Sequence, residues 1–447
     1  MSIRFDTIVN KILYIEKKFD LINFQICGVY VWQAARVKVY LEITNKVIEN
    51  NQSGFNKKHK IKFKDLLRRI FINSILFNPF LSIKKNEILI FESGRKYFDQ
   101  GKYIDIYTID LYNNFTSKNV SCALYETNYQ SDTKNRNFKT KHLDFIYLFS
   151  KLNKPFIRPK LSASNINFIT DIENEIEHSF GVKISLLNLL IEEIKVFKSQ
   201  YPLYKKLFKQ KNPREIYITN SCDKPSLVSA AKDLNIIVNE LQHGLITQED
   251  LVAHFPDVAN DSLAYFPNRF FLWKDLNMCT SKLPLSKENI KFIDCKYLQR
   301  WKDQTSNLSK ESRTILVISQ PFCSAQIQSY IENNIAKMKD FQFLYKIHPS
   351  EDITAMEYFI ERMSQKYQNI TFYNKEQSVY WMMQKSSYVI GIFSTALFEA
   401  PHFRCNVFLL DLPGAEIASS LIKSGSAKLI NSSEPLINHI NICNNKF

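Results

Sequence analysis

Three motifs place residues capable of acid–base or anion-binding chemistry directly after short apolar runs of the kind that form buried strands. They are Glu240-Leu-Gln-His-Gly244, Lys346-Ile-His-Pro-Ser350 and Ser394-Thr-Ala-Leu-Phe-Glu399. In open α/β sheets, ligands bind in the crevice beyond the carboxyl ends of the strands. Each motif alone has an ordinary structural explanation, such as a helix cap or a histidine in a turn. Their combination at three predicted strand ends favours a binding and catalytic site.

The second and third motifs have the chemistry of a site for a phosphate-containing donor. His348 can donate a ring N–H to a phosphate oxygen, Pro349 stiffens the turn that presents the ring, and Lys346 adds positive charge. Ser394 and Thr395 stand where a helix is predicted to begin, so their hydroxyls and the free backbone N–H groups there can hold an anion. We therefore predict that these five residues bind the donor.

Carboxylates and imidazoles supply the candidates for sugar binding and proton transfer. Glu399 lies one helical turn beyond the predicted helix start and could accept hydrogen bonds from ribose hydroxyls. Glu240 and His243 belong to the other block of strands and could deprotonate an acceptor hydroxyl across the cleft. The choice between these two bases stays open.

Residues that follow strand ends in the first block are the predicted acceptor contacts, namely Arg95, Gln242 and Gly244. Asp105 and Asp110 lie in the same part of the sequence and are further candidates for the base. The chain has no Asp-x-Asp motif, no His and Cys cluster with zinc spacing, and no glycine-rich phosphate loop. We therefore expect no metal and no cofactor.

The elements that must position these residues are predicted by an alternation of apolar runs and helical stretches. Predicted strands cover 87–92, 103–108, 120–125, 144–149, 215–219 and 236–240, and then 314–319, 342–347, 370–373, 388–393 and 406–411. Alternating strands and helices indicate βαβ units and a parallel sheet. Two such blocks predict an α/β protein of two Rossmann-like domains that face a cleft.

The predicted domain boundaries follow the change in pattern along the chain. Residues 1–84 look helical and lack strand patterns, 85–265 form the N-terminal, acceptor-binding domain, and 266–309 form a connection. Residues 310–430 form the C-terminal, nucleotide-sugar-binding domain, and a helix at 431–447 ends the chain.

Composition sets broad limits on the class of protein. The chain has 447 residues, 45% of them hydrophobic, which argues against disorder. The net charge of +15 suits an anionic partner or simply aids solubility. Basic residues are spread along the chain and no helix-turn-helix, zinc-finger or RRM-type motif occurs, so we expect no nucleic-acid partner. Eight scattered cysteines and an N-terminus without an apolar leader are typical of a cytoplasmic protein.

One apolar stretch, residues 70–83, could contact a membrane. It has fourteen residues and contains Asn73, Asn78 and Pro79, so it is too short and too polar to span a bilayer. It follows a basic stretch at 57–69, and this order suits an interfacial helix on the anionic inner leaflet. The alternative is a helix packed in the core. Peripheral attachment to the inner membrane is therefore an option for this cytoplasmic protein.

With these residues in view, the sequence resembles bacterial GT-B glycosyltransferases of surface-polysaccharide assembly. Residues 242–244, His348-Pro349 and Ser394-Thr395 with a following Glu are similar to motifs of bacterial sialyltransferases, polysialyltransferases and capsular Kdo transferases, best over 240–415. The resemblance implies a GT-B-like fold in which the His-Pro and Ser/Thr motifs contact the CMP part of the donor. It also implies that His348 assists the departure of CMP, which makes His348 a third catalytic candidate. It also implies an acidic motif that ends in Gly and supplies the base. Here that place offers a single carboxylate, Glu240.

The function implied by this resemblance is transfer of an acidic sugar, a sialic acid-like nonulosonate or Kdo, from a CMP-sugar donor to a glycan or lipid-linked oligosaccharide acceptor. Since a CMP-linked donor has one phosphate, a site without metal suits it. A polyol-phosphate transferase that uses CDP-glycerol or CDP-ribitol has similar motifs and is the alternative enzyme. A non-catalytic scaffold of a polysaccharide assembly complex is the alternative from another class.

Overall fold

The computed structural model describes residues 4–49, 69–99, 101–126, 140–274, 276–374 and 377–444. Most of the basic stretch noted above, 57–68, lies outside these residues. Among the described residues, no helix is both long enough and apolar enough to cross a membrane.

The described part of the N-terminal segment, 4–49 and 69–84, is mainly helical, as expected. Its elements are α1 (Phe5–Lys18), β1 (Gln25–Ile26), β2 (Val29–Tyr30), α2 (Val31–Glu49) and a π-helix (Arg69–Leu76). The sequence did not indicate the small antiparallel hairpin of β1 and β2. Its turn residues, Cys27 and Gly28, have φ of 54° and 74°. Two successive positive φ values are what a two-residue hairpin turn requires.

The first large sheet has seven parallel strands in the order β11-β10-β9-β8-β3-β6-β7. The strands of this half are β3 (Ile88–Phe91), β4 (Lys96–Asp99), β5 (Lys102–Asp105), β6 (Cys122–Glu126), β7 (Lys141–His142), β8 (Glu215–Ile218), β9 (Ile237–Leu241), β10 (Arg269–Trp273) and β11 (Ile290–Ile293). The helices are α3 (Ile109–Ser117), α4 (Asp144–Asn153), α5 (Ala163–Phe180), α6 (Leu186–Lys211), α7 (Pro225–Lys232) and α8 (Lys296–Gln304). Strands β4 and β5 form a separate antiparallel hairpin.

The second large sheet has six parallel strands in the order β14-β13-β12-β15-β16-β17. They are β12 (Glu311–Ile318), β13 (Gln342–Lys346), β14 (Ile370–Tyr373), β15 (Ser386–Gly391), β16 (Asn406–Leu410) and β17 (Ala427–Ile430). The helices are α9 (Ser324–Ile335), α10 (Ile353–Lys366), α11 (Val379–Lys385), α12 (Thr395–Glu399), α13 (Ser419–Lys423) and α14 (Leu436–Asn444). The two parallel sheets confirm the predicted α/β, GT-B-like fold of two Rossmann-like halves.

Three predicted elements were wrong. Residues 144–149 form the start of helix α4, because Leu143, Ile146 and Ser150 share one buried helical face. Residues 103–105 belong to the β4–β5 hairpin instead of the parallel sheet, and 106–108 form the turn that follows it. The predicted connection at 266–309 contains β10 and β11, which extend the first sheet beyond β9.

The two halves share a hydrophobic core. One buried cluster contains Tyr107, Trp273 and Tyr297 from the first half together with Leu397 and Phe403 from the second. The ring of Tyr107 stacks on Trp273 with centroids 5.9 Å apart and meets Tyr297 edge-on at 5.4 Å. This cluster lies beside the strand ends that carry the sequence motifs, so it fixes the geometry of the cleft between the halves.

Candidate active site

The first and third motifs meet across the cleft. A methyl group at Gly244, just after β9, would lie 3.8 Å from Cγ2 of Thr395, at the start of α12. The loop that contains Gly244 is also fixed from its own half, because the hydroxyl of Tyr107 donates to the carbonyl of His243 at 2.8 Å. The tertiary structure therefore brings together two motifs that are about 150 residues apart in the sequence.

The second motif lies on the same sheet edge as the third. His348 follows β13 and Ser394 follows β15, and β12 lies between these two strands. Two inter-strand spacings separate the strands by about 10 Å, a span that a nucleoside phosphate can bridge. Gln320, which follows β12, donates from Nε2 to the carbonyl of Phe393 at 2.5 Å. This bond ties the loop before Ser394 to the central strand.

The imidazole of His348 is held in one tautomer. Its Nδ1 accepts a hydrogen bond from the backbone N–H of Ser350 at 3.2 Å and lies 2.7 Å from that residue's hydroxyl. A ring nitrogen that accepts from a backbone N–H carries no proton, so the proton of the neutral ring is on Nε2. Burial lowers the pKa of His348, while the charge of Glu351 opposes this shift. At neutral pH the ring is therefore a neutral Nε2–H donor.

Glu351 positions this histidine, and the sequence analysis missed it. One carboxylate oxygen accepts from the backbone N–H of His348 at 2.7 Å, and the other accepts from the hydroxyl of Ser319 at 2.7 Å. The hydroxyl of Tyr345 donates in turn to Ser319. Glu351 is buried, and its place three residues after His348 was the available signal.

Ser394 caps helix α12, as the sequence predicted. Its hydroxyl accepts from the backbone N–H of Ala396 at 3.4 Å. The helix has only five residues before the chain tightens into a 3-10 turn at Ala400–Phe403. Such a short helix has a small dipole. The side chains of Ser394 and Thr395, both partly exposed, are therefore the better anion-binding groups at this position.

Two predicted donor contacts have structural partners instead. The ammonium of Lys346 donates to the carbonyls of Asn374 and Gln377 and so holds the loop that follows β14. Glu399 is completely buried, and its Oε1 accepts from the hydroxyl of Tyr297 at 2.5 Å. Burial raises the pKa of Glu399, and the charge of Arg95 opposes this shift. Both side chains therefore have partners within the protein, which the sequence did not indicate.

Glu240 and His243, the candidate bases, differ in their electrostatics. Glu240 is buried, and its Oε1 accepts from the backbone N–H of Ser221 at 3.2 Å, whereas Oε2 has no hydrogen-bond partner. Burial raises the pKa of this carboxyl. Burial and the charges of Lys224 and Arg95 lower the pKa of His243 to about 4. At neutral pH the imidazole is neutral and only weakly basic.

Gln242 shapes the loop between these two candidates. Its side-chain amide donates to the carbonyl of Gly244 at 3.0 Å and accepts from the backbone N–H of Trp273 at 2.8 Å. The side chain is buried, so it positions the loop and does not present a free polar group to the cleft.

Arg95 is an exposed cation of the first half near this loop, and Lys224 is a second, partly buried one. Nη1 of Arg95 donates to the hydroxyl of Tyr107 at 2.7 Å, which orients the guanidinium near the loop at His243. Asp105 is fully buried and accepts five hydrogen bonds, from Ser93 and Gly94 just before Arg95 and from Tyr107 and Thr108 just after β5. Asp110 forms an ion pair with Arg300 at 2.5 Å. These contacts give both aspartates structural roles.

Within the described parts of the chain, no three His, Cys, Asp or Glu side chains are grouped so that they could hold a metal ion.

Comparisons with known proteins locate a family similarity over the end of the first half and most of the second. Residues 260–407 match the model of the alpha-2,8-polysialyltransferase (POLYST) family, which is about a third of the chain. The matched segment includes the motifs at His348 and Ser394 but begins after Gly244. A search of curated protein sequences found no match.

Solved structures with a similar arrangement share little sequence with this chain. UDP-GlcNAc 2-epimerase from Methanocaldococcus jannaschii has 11% identity and a TM-score of 0.45, with 77% of this chain and 89% of that chain covered. The enzyme from Neisseria meningitidis has 13% identity and a TM-score of 0.44, with coverage of 77% and 87%. The glycotransferase of kitacinnamycin has 8% identity and a TM-score of 0.46, with coverage of 79% and 88%.

The family match and the two facing parallel sheets support the same conclusion as the motifs. The chain is a glycosyltransferase with a GT-B-like fold that resembles the polysialyltransferases.

Proposed function

We propose that the protein transfers an acidic sugar, a sialic acid-like nonulosonate or Kdo, from a CMP-sugar donor to a glycan or lipid-linked oligosaccharide acceptor, without a metal ion. The observation that carries this proposal is the meeting of Gly244 and Thr395, which places the proposed acceptor-side loop against the proposed donor-side loop. The polysialyltransferase family match over 260–407 supports the choice of an acidic sugar.

The donor phosphate is held by neutral hydrogen-bond donors in this proposal. Nε2–H of His348 and the hydroxyls of Ser394 and Thr395 contact the phosphate of the CMP group, and Pro349 fixes the turn that presents the imidazole. As the glycosidic bond breaks, negative charge accumulates on the departing CMP. Preorganised donors at that position stabilise the transition state more than the ground state.

Glu240 is the proposed base, since its raised pKa makes it a better proton acceptor than His243, and its Oε2 has no hydrogen-bond partner. The acceptor hydroxyl gives its proton to this oxygen while its own oxygen attacks the anomeric carbon. His243 is a neutral hydrogen-bonding group beside the acceptor. Arg95 pairs with an acceptor carboxylate, and Gln242 and Gly244 shape the loop.

Nucleotide-dependent thermal stabilisation tests the donor assignment. The purified protein is heated with CMP, CDP, UDP, GDP or ADP, each with and without magnesium. At a concentration 100 times its dissociation constant, a ligand stabilises the folded state by about 2.7 kcal/mol. We expect a rise in melting temperature with CMP, equal with and without magnesium. His348→Ala should abolish the rise, and His178→Ala, at an exposed helical position, should retain it.

The other outcomes are informative. Stabilisation by UDP or GDP alone would refute the CMP assignment, and stabilisation by CDP alone would favour a polyol-phosphate donor. No stabilisation by any nucleotide, in protein shown to be folded by circular dichroism, would favour a scaffold. Release of CMP from CMP-sialic acid or CMP-Kdo, dependent on an oligosaccharide acceptor, then measures transfer directly.

A further inference from the structure

The π-helix at Arg69–Leu76 has the reverse of the usual burial pattern. Its polar residues Asn73 and Ser74 are buried, whereas Phe71, Ile75 and Leu76 are exposed. Asn73 donates to the buried carboxylate of Asp144 at 2.9 Å, so the orientation is fixed by a hydrogen bond inside the protein. A surface helix of a soluble protein normally presents its polar side to water. The exposed apolar side therefore needs an apolar partner.

A second element extends this exposed surface. Helix α4 packs against the π-helix, and Phe149, Leu152 and Phe156 are exposed along α4 and the turn that follows it. Phe149 and Leu152, three residues apart, lie on one face of α4, and Phe156 ends the 3-10 turn that follows the helix. The six residues Phe71, Ile75, Leu76, Phe149, Leu152 and Phe156 are here called the apolar patch. Phe156 is 81% exposed. Large apolar side chains exposed on two elements that pack together mark a site of interaction.

The charges around the apolar patch are mostly positive, and the carboxylate of Glu192, which pairs with Lys154 at 2.6 Å, is an exception. Between residues 66 and 86 and between 145 and 170 the sequence contains no Asp or Glu. Lys84 and Lys85 follow the π-helix and are exposed, and Lys151 and Arg158 are exposed beside the second half of the patch. Exposed apolar side chains with flanking cations are the composition of a surface that binds an anionic lipid bilayer. A second copy of the chain would bring like charges together and is disfavoured.

We propose that the apolar patch docks on an anionic lipid bilayer, with its aromatic and aliphatic side chains in the interfacial region and the flanking lysines and arginine at the lipid headgroups. The patch lies beside β7, the edge strand of the first sheet, where the backbone N–H of His142 donates to the carbonyl of Phe77. Four inter-strand spacings, about 19 Å, separate this edge from β9 and the acceptor-side loop. Docking therefore holds the acceptor-binding half at the membrane. This inference does not depend on the identity of the donor.

Vesicle flotation with the full chain tests the docking surface. The protein is mixed with vesicles of phosphatidylcholine alone or with 30% phosphatidylglycerol, and the bound fraction is measured at low and high salt. We expect binding to the anionic vesicles that weakens with salt. Phe71→Ser with Phe149→Ser should lower the partition coefficient at least about tenfold, because each change removes an inserted aromatic ring. Lys84→Ala with Lys85→Ala should lower it by a similar factor on anionic vesicles only.

Matched exposed residues elsewhere serve as controls. Phe292 and Tyr358 are 68% and 75% exposed on other elements, and Phe292→Ser with Tyr358→Ser should bind vesicles like the wild type. Melting temperatures establish that each variant is folded. If the patch variant fails to fold, Phe156→Ser, the most exposed position, replaces it. The proposal is overturned if the wild type does not bind anionic vesicles, or if the patch variant and the control variant bind them equally. It is also overturned if light scattering shows a dimer that the patch substitutions convert to a monomer.

Discussion

Replacement of Tyr297 by Phe tests whether the buried Glu399 carboxyl anchors the donor-side helix to the first half. The change removes one hydroxyl, which donates to Oε1 of Glu399 at 2.5 Å, and keeps the ring that packs against Tyr107 and Trp273. A hydrogen bond to a charged group contributes about 1.5–3 kcal/mol to stability, and a neutral one contributes about 1 kcal/mol. The expected loss therefore depends on whether Glu399 is ionised.

The sign of the pH dependence follows from the raised pKa of Glu399. An acid whose pKa is higher in the folded state is most stable when protonated, and the cost of its ionisation appears as pH rises from its ordinary value through the raised one. Loss of the tyrosine hydroxyl raises this pKa further. We expect Tyr297→Phe to lower the free energy of unfolding by about 1 kcal/mol at pH 5, where the raised pKa favours the protonated carboxyl, and by more, up to about 2 kcal/mol, at pH 8, in proportion to the ionised fraction of Glu399.

Urea denaturation at both pH values, followed by tryptophan fluorescence, measures this loss. Tyr358→Phe is the matched control, since that tyrosine is 75% exposed and its hydroxyl faces water, and we expect it to be neutral at both pH values. An unchanged urea midpoint for Tyr297→Phe at pH 8 would refute the argument. A loss of the same size at pH 5 and pH 8 would show that the ionisation of Glu399 is not involved.

Two further predictions concern the cleft. Gly414 has φ of 98°, and a methyl group there would lie 2.3 Å from the ring of Phe393, which precedes helix α12. Gly414→Ala should therefore lower the free energy of unfolding by about 2–4 kcal/mol and weaken CMP binding. The control is Gly425→Ala, with φ of 72° and open space around the added methyl group, which should cost about 1 kcal/mol and leave CMP binding unchanged. Equal CMP affinity in the two variants would contradict this. If Glu240 is the base, the transfer rate of the wild type should rise with pH through the raised pKa of this carboxyl, and Glu240→Gln should lose this rise and at least about 100-fold in kcat. His243→Ala should keep the pH profile, and the reverse result would identify the histidine as the base.

Much of the fold was predictable, because a buried parallel strand needs a continuous run of apolar residues. The helix that follows it needs apolar residues at every third or fourth position. The strands at 342–347, 370–373 and 406–411 and the helix at 353–366 were therefore located to within a residue or two. Short apolar runs such as 144–149 are compatible with either a strand or a helix. Here the edge strand β7 ends at His142, and the following residues gain more by burying Ile146 on a helix against α6.

The sequence by itself determined the residue types at the strand ends and the order in which they occur, because these depend only on local pattern. Only the tertiary structure decided which of those residues face a ligand. Lys346 and Glu399 were plausible donor contacts until the structure placed each with a structural partner. The meeting of Gly244 with Thr395 likewise depends on how the two sheets pack, through a shared core around Tyr107. Contacts between distant segments are set by tertiary packing, which the local sequence pattern does not predict.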